Sequence, residues 1–486
     1  MSTTLEELAS VSELAALAAP VTEAASDAER ASWLRAVAND LDAHVAELVE
    51  LADSETHLGS ARLTGEVSRT TGQLRLFADV ITDGSYLEAT IDHAASTTSP
   101  PRPDLRRMLR PIGPVAVFSA SNFPFAFSVA GGDTASALAV GCPVLVKAHS
   151  GHLALSRRTA ELVLGALEGS GAPLGTFALV EGRAVGKALV QTPAIQGVGF
   201  TGSVGAGRAL FDLAVSRPDP IPFYGELGSI NPVVITRAAV ATRGQELADG
   251  LASSFTMGVG QFCTKPGVVF IPENSGFEAL LAGATTAKLG GALLTDRIAE
   301  AFPRGLQSLA ADFEVEVVLG NTGQDALADG ASPVILATTA AAVRKRPETL
   351  LEECFGPMTL LVRYSGEAEL GRTLSLFQGN LTATIHAEPS DAISPLVALL
   401  SKKVGRVLFG GWPTGVSVTW AQQHGGPWPA TTSLHTSVGA TAVRRFLRPV
   451  AYQDAPDGVL HPALQESNPL GIPRRVDGVL KLGRFL

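Results

Sequence analysis

Residues 144 to 214 read VLVKAHSGHLALSRRTAELVLGALEGSGAPLGTFALVEGRAVGKALVQTPAIQGVGFTGSVGAGRALFDLA, and short apolar runs alternate there with stretches of helical periodicity. Val144-Leu145-Val146, Phe177 to Val180 and Gly197 to Phe200 have strand length, whereas Ala154 to Leu167, Val185 to Val190 and Gly205 to Ala214 carry helical patterns. Strands alternating with helices build βαβ units and hence a parallel sheet. An α/β fold is therefore predicted.

The same alternation extends both ways. Upstream, the apolar stretch from Pro114 to Val146 holds a single charge, Asp133. Its Asn-Phe-Pro, Gly-Gly-Asp and Gly-Cys-Pro breaks divide it into strand, loop, helix and strand, which argues against a membrane span. Downstream, Val268 to Ile271, Val334 to Leu336, Met358 to Val362 and Arg406 to Phe409 form a second alternating region. Two α/β domains follow, with residues 1–250 in the first and 251–448 in the second. Residues 1–85 read as two or more amphipathic helices, with an acidic first turn at Asp27 that suits the helix dipole. The Ser-Thr-Thr-Ser-Pro-Pro-Arg-Pro run within 86–112 marks a protruding connection, and residues 449–486 are a Pro- and Gly-punctuated tail.

The 486 residues are 46% hydrophobic and 17% charged, enough to bury two or three cores. A formal net charge of −10 supplies no field for nucleic acid or an anionic membrane surface, so neither is an expected partner. Three scattered cysteines, Cys142, Cys263 and Cys354, form no disulfide framework or zinc motif, which fits a reducing compartment. The acidic start lacks the basic region of a signal peptide, and a cytoplasmic location is expected.

Cys263 stands in Gly260-Gln261-Phe262-Cys263, between a Gly-rich approach and a Pro-Gly turn, with Glu226-Leu227-Gly228-Ser229 upstream. A thiolate adds to an electrophilic carbon, and release of the adduct needs a second group that activates water. Cys263 as nucleophile and Glu226 as base fill those posts. Gly202-Ser203-Val204-Gly205-Ala206-Gly207 follows a strand and opens a helix, whose N–H groups and dipole suit a pyrophosphate. His149 and His152 lack further ligands nearby, and no metal is expected.

Together with Ser121-Asn122-Phe123-Pro124, Val146-Lys147, Gly199 to Ser203 and Glu352 to Pro357, these elements resemble the aldehyde dehydrogenase superfamily over almost the whole chain. The resemblance implies two Rossmann-like α/β domains, one cofactor-binding and one catalytic, plus a small oligomerisation arm in which 86–112 meets the tail. A homodimer or homotetramer is implied. It makes Cys263 the nucleophile that forms a thiohemiacetal and then a thioester, Glu226 the hydrolytic base and Asn122 the oxyanion donor. Glu226 in that role calls for a pKa tuned toward neutrality by a dry setting. Lys147, Ser150, Gly202, Ser203, Glu353 and Phe355 fall at its cofactor positions. Relatives selective for NAD often carry Glu three residues beyond the lysine; Ser150 here admits NADP, used or preferred, with NAD also accepted and Arg183 or Lys187 as phosphate partners.

The chain departs from the family at Ser229 and at Lys265, which either lowers the thiol pKa or points to the surface. Segments at 65–78, 127–138, 411–416, 424–431 and 468–472 resemble one branch, the α-ketoglutarate semialdehyde (2,5-dioxopentanoate) dehydrogenases and NADP-dependent long-chain aldehyde dehydrogenases. The branch implies oxidation of 2,5-dioxopentanoate, or of longer aliphatic aldehydes; a Cys/Glu thioesterase is the reading outside redox chemistry. Arg69 is one candidate grip for a substrate carboxylate, structural salt bridging the other. Phe127, Phe262, Trp412 and Pro413 either line the pocket or belong to the core.

Overall fold

A computed structural model describes residues 2–323, 327 and 330–483. The stretch 144–214 forms the predicted units, with strands Val144–Lys147, Phe177–Val180 and Gly197–Thr201 separated by helices Leu153–Gly169 and Arg183–Gln191 and followed by helix Val204–Val215. These strands join Val115–Phe118 and Phe223–Glu226 in a five-stranded parallel sheet, with Val115–Phe118 in the middle. Every residue of Val115–Phe118 is buried, as a central strand covered by helices on both faces requires. The apolar run Pro114 to Val146 resolves into strand Val115–Phe118, a loop, helix Gly132–Ala139 and strand Val144–Lys147.

A second sheet has seven strands. Six run parallel and include Val233–Ile235, Val268–Pro272, Met358–Tyr364 and Asn380–His386, and the edge strand Glu316–Leu319 is antiparallel. The two sheets are Rossmann-like α/β layers. The chain changes sheets between Glu226 and Val233, so residue 250, the boundary expected from sequence, lies inside helix Arg237–Thr256. That helix packs on Val269, Ile271 and Ile335 of the second sheet. The apolar register of the strands, which is invisible until they pair, decides the division.

The N-terminal segment forms four helices, Leu5–Ala24, Asp27–Ala43, Val45–Thr56 and Ser60–Asp83. The first two begin with capping boxes at Thr4/Glu7 and Ser26/Glu29, which satisfy backbone N–H groups at each start. Segment 86–112 supplies strands Thr90–Asp92 and Leu105–Pro111. Leu105–Pro111 pairs with Leu447–Gln453 and Thr90–Asp92 with Arg474–Val476, in a five-stranded sheet edged by Val479–Lys481. No helix among the described residues is long and apolar enough to cross a membrane.

Candidate active site

Every strand of the first sheet delivers a sequence-predicted residue at or just beyond its carboxyl end. Lys147 ends Val144–Lys147, Asn122 and Ser203 lie shortly beyond Val115–Phe118 and Gly197–Thr201, Glu226 ends Phe223–Glu226, and Arg183 follows Phe177–Val180. Ligands of open parallel sheets bind along this edge.

Cys263 sits in a turn ahead of strand Val268–Pro272, on the second sheet. Gly258, Val259 and Gly260 all adopt φ between 56° and 66° just before it. Left-handed backbone is costly for β-branched Val259, on the order of 1–3 kcal/mol, and persists only where surrounding contacts enforce it. A Cβ on Gly260 would stand 2.2 Å from the Gly356 carbonyl oxygen, so this loop is pressed against the Glu353–Gly356 loop. Asn231, itself at φ 47°, donates through Nδ2 to the Cys263 and Lys265 carbonyls at 2.8 and 2.9 Å. The result is a cysteine that is only partly buried.

Glu226 and His424 lie beside that sulfur, with one ligand atom of each of the three residues within 4.8 Å of the others. Cys263 Sγ is 3.8 Å from His424 Nε2, and the same nitrogen is 2.8 Å from Glu226 Oε1. Ser437 Oγ donates to Glu226 Oε2 at 2.7 Å. The Glu226 and His424 side chains are each 1% exposed, so the pair is desolvated. Burial pushes the Glu226 carboxyl up, but the charge and hydrogen bond of His424, with help from Ser437 and Cys263, outweigh it and hold Glu226 below the ordinary carboxylate range. The near-neutral base expected from a dry setting is therefore not what forms; partners override desolvation. Burial, then the Glu226 carboxylate, push the Cys263 thiol well above its usual range, while Arg69 pulls the other way. Burial and the carboxylate both disfavour the thiolate form.

His424 escaped the sequence reading as a site residue, because it lies 198 residues from Glu226. The tertiary link is a strand-like docking of its loop on the edge of the first sheet. Leu227 N–H donates to Ala430 O at 2.7 Å and Thr432 N–H to Gly225 O at 3.1 Å, with Glu226 bridged to Thr431. The only signal in the sequence was a histidine opening a Gly- and Pro-rich segment.

Asn122 is buried, and its side chain faces the nucleophile loop, not the turn before Pro124: Nδ2 donates to Gln261 O at 3.0 Å. Lys265 follows neither option set by sequence. It is 3% exposed and donates to the Cys354 and Met358 carbonyls at 2.8 and 2.9 Å, which pins the Glu353-bearing loop. Ser229 is likewise structural, donating to Asn231 and accepting from Leu381 N–H. Phe127 and Phe262 stand at the site, with the Phe127 ring 6.3 Å from that of His424 and Phe262 next to Cys263. Trp412 packs on buried His386 at 4.4 Å and over Gly250, so it serves the core.

Between the two sheets a cleft of about 420 Å³ is lined by Val204, Gly228, Ser229, Glu353 and Phe377. Gly202, Ser203, Val204 and Gly205 are exposed at its helix start, where Ser203 is the N-cap and a Cβ on Gly205 would meet nothing. Glu353 reaches across so closely that a Cβ on Gly228 would stand 2.4 Å from its Oε2. Burial raises its carboxyl to about 7 against the pull of Lys265 and the Ser229 N–H. Phe355 is half-buried in the same loop. An open helix N-terminus facing a carboxyl across a cleft fits a dinucleotide, with pyrophosphate on the N–H groups and ribose on the carboxyl. Lys147 lies against helix Arg183–Gln191, and Ser150, Arg183 and Lys187 are exposed near it. His149 and His152 stack; His152 engages Ala120 O and Ser156.

Comparison with known proteins agrees with this geometry. Residues 2–427 match the aldehyde dehydrogenase family. The chain is 49% identical over 462 residues to alpha-ketoglutaric semialdehyde dehydrogenase 2 of Azospirillum brasilense, covering 93% of this chain and 87% of that one. It is 42% identical over 484 residues to alpha-ketoglutaric semialdehyde dehydrogenase of Acinetobacter baylyi, covering 98% and 92%. Its fold resembles that of aldehyde dehydrogenase 21 from Physcomitrella patens in complex with the reaction product succinate, with a TM-score of 0.78 at 20% identity over 93% of this chain and 92% of that one. A half-exposed cysteine beside a buried carboxylate, on two Rossmann-like sheets, is thus matched by likeness along nearly the whole sequence, and the chain belongs to the aldehyde dehydrogenase family.

Proposed function

We propose that this chain oxidises 2,5-dioxopentanoate to 2-oxoglutarate, with NADP preferred over NAD. The observation that carries the chemistry is Cys263 Sγ 3.8 Å from a histidine nitrogen that is itself 2.8 Å from Glu226. The substrate reading is supported by the names of the two relatives at 49% and 42% identity.

Glu226, hydrogen-bonded to the thiol and steadied by His424, takes the thiol proton as Cys263 Sγ bonds to the aldehyde carbon and releases it to solvent before hydrolysis begins. Nδ2 of Asn122 and the backbone N–H of Cys263 receive the oxygen charge of the thiohemiacetal, the moment at which fixed donors are worth most. A bound nicotinamide supplies the hydride acceptor that converts the adduct to a thioester. Glu226 then deprotonates water, with Ser437 and His424 orienting its carboxylate, and the thioester is hydrolysed to the acid. Lys147 and Ser203 would hold the ribose and phosphate, and Glu353 and Phe355 the nicotinamide end.

NADP preference is supported by Ser150 and by the fate of the nearest carboxylate. Glu181 is paired with Arg157 at 2.7 and 2.8 Å, which weakens its repulsion of a 2′-phosphate that Lys147, Arg183 and Lys187 would attract. The arm sheet ends in the exposed strand Val479–Lys481, which supports assembly into a homodimer or homotetramer. Its three free cysteines fit a cytoplasmic setting. Steady-state turnover of 2,5-dioxopentanoate and hexanal with each nicotinamide tests the whole reading. The highest kcat/KM is expected for 2,5-dioxopentanoate with NADP. Higher kcat/KM for hexanal would reassign the substrate, and no reduction of either nicotinamide would remove the redox function.

A further inference from the structure

Helix Ser60–Asp83 presents Arg62, Glu66, Arg69 and Gln73 along one stripe toward the Phe123–Phe127 segment. Part of this stripe is structural. Glu66 Oε1 accepts from the N–H groups of Phe125 and Ala126 at 2.9 and 3.0 Å, and Arg62 Nη2 donates to Asn122 O at 2.6 Å. The remaining nitrogens have no such use. Arg62 Nη1 and Arg69 Nε and Nη2 are shielded from solvent and have no hydrogen-bond partner among the described residues.

Both guanidinium groups lie over aromatic faces at the mouth of the site. Arg62 is 5.3 Å from the Phe123 ring and 4.8 Å from Phe262, and Arg69 is 5.6 Å from Phe123 and 5.3 Å from Phe127. Stacking occupies their faces and leaves their donor edges open. Glu66, the carboxyl between them, is a poor counter-ion because burial raises its pKa. Arg69 stacks on Phe127, whose ring is 6.3 Å from that of His424, and it lies within electrostatic range of Cys263 and Glu226. Desolvated guanidinium without a partner costs stability, and an arriving carboxylate recovers that cost through charge-assisted bonds.

We propose that Arg69, with Arg62 beside it, clamps the carboxylate at the far end of an anionic aldehyde and so selects oxo-acid semialdehydes over neutral aldehydes. This rests on the substrate reading above. The clamp forms only in the tertiary structure, since Arg69 and Cys263 are far apart in sequence.

The test compares kcat/KM for 2,5-dioxopentanoate with that for pentanal, in wild type, Arg69→Gln, Arg62→Gln and Arg69→Lys. The anionic-to-neutral ratio should fall about 10- to 100-fold in Arg69→Gln, the worth of a hydrogen bond to a charged group. It should fall less in Arg62→Gln, and Arg69→Lys should recover part of the loss as a point charge without the fork. A second readout needs no turnover: alkylation of Cys263 by iodoacetate relative to iodoacetamide should drop in Arg69→Gln. Equal losses on both aldehydes, with an unchanged alkylation ratio, would overturn the clamp. If wild type fails to oxidise 2,5-dioxopentanoate, the substrate reading falls, and the alkylation ratio still decides whether these arginines receive a carboxylate.

Discussion

The two α/β sheets contribute to the site from opposite ends. In the first, Asn122, Lys147, Ser203 and Glu226 lie at or beyond the carboxyl ends of strands; in the second, Cys263 and Glu353 lie in loops that precede Val268–Pro272 and Met358–Tyr364. The first arrangement follows the usual placement of ligands in open α/β sheets. The second needs special backbone to hold a loop at the amino end, and the chain supplies it in the left-handed run Gly258-Val259-Gly260, the Asn231 brace and the buried Lys265. On the function proposed above this is a division of labour: carboxyl ends of the first sheet would bind and activate, whereas amino-end loops of the second would carry the nucleophile.

Changes on the two sides should therefore break different half-reactions. The largest effect is expected for Cys263→Ala, which removes the bond-forming atom. Aldehyde oxidation should fall by at least about 10³-fold, with NADP still bound as judged by fluorescence titration. Retained turnover would move the nucleophile elsewhere. Glu226→Gln, on the opposite sheet, should leave acylation partly intact and stop hydrolysis, giving a burst of reduced cofactor followed by steady turnover about 10²- to 10⁴-fold lower. Wild-type steady turnover would separate Glu226 from the water step.

His424→Gln sharpens the contrast, because His424 belongs to a loop that crosses from the second region to the edge of the first. Turnover should fall about 10- to 100-fold. The pH profile carries the sign. His424 depresses the Glu226 pKa, so in wild type the carboxylate persists below the ordinary carboxylate range and activity is lost only as pH falls through that depressed value. Without the imidazole the acid limb should move to higher pH. An unmoved limb would mean that Ser437 and Cys263 alone set the carboxylate. The smallest effect is expected for Ser150→Glu, at an exposed position of the first sheet, which should shift the NADP-to-NAD preference toward NAD by about 2- to 5-fold, as befits one exposed charge. An unchanged ratio would place cofactor choice at other residues.

Periodicity alone located the βαβ stretch, the broken apolar run from Pro114 and the helical N-terminal segment, because strand and helix spacing are local properties. Family resemblance singled out Cys263, Glu226 and Asn122; the fold brings Cys263 and Glu226 together around His424 and bonds Asn122 to Gln261, two residues before the cysteine. Other features were illegible for a physical reason: they depend on contacts between distant segments. Sequence could not assign Val233–Ile235 to the second sheet, since apolar register appears only when strands pair.

The amino-acid order by itself thus determined the element types and the parallel α/β class, and it singled out the candidate reacting side chains, each written in a window of a few residues. Tertiary structure alone decided how those side chains behave. It placed His424 on Glu226 across 198 residues, holding the carboxylate low where burial alone would raise it. It turned Lys265 inward onto two carbonyls and left Arg69 stacked on Phe123 and Phe127 with nitrogens that have no partner among the described residues. Charge and proton affinity are set by the partners and solvent that folding brings to a group, and neither is encoded in its neighbours along the chain.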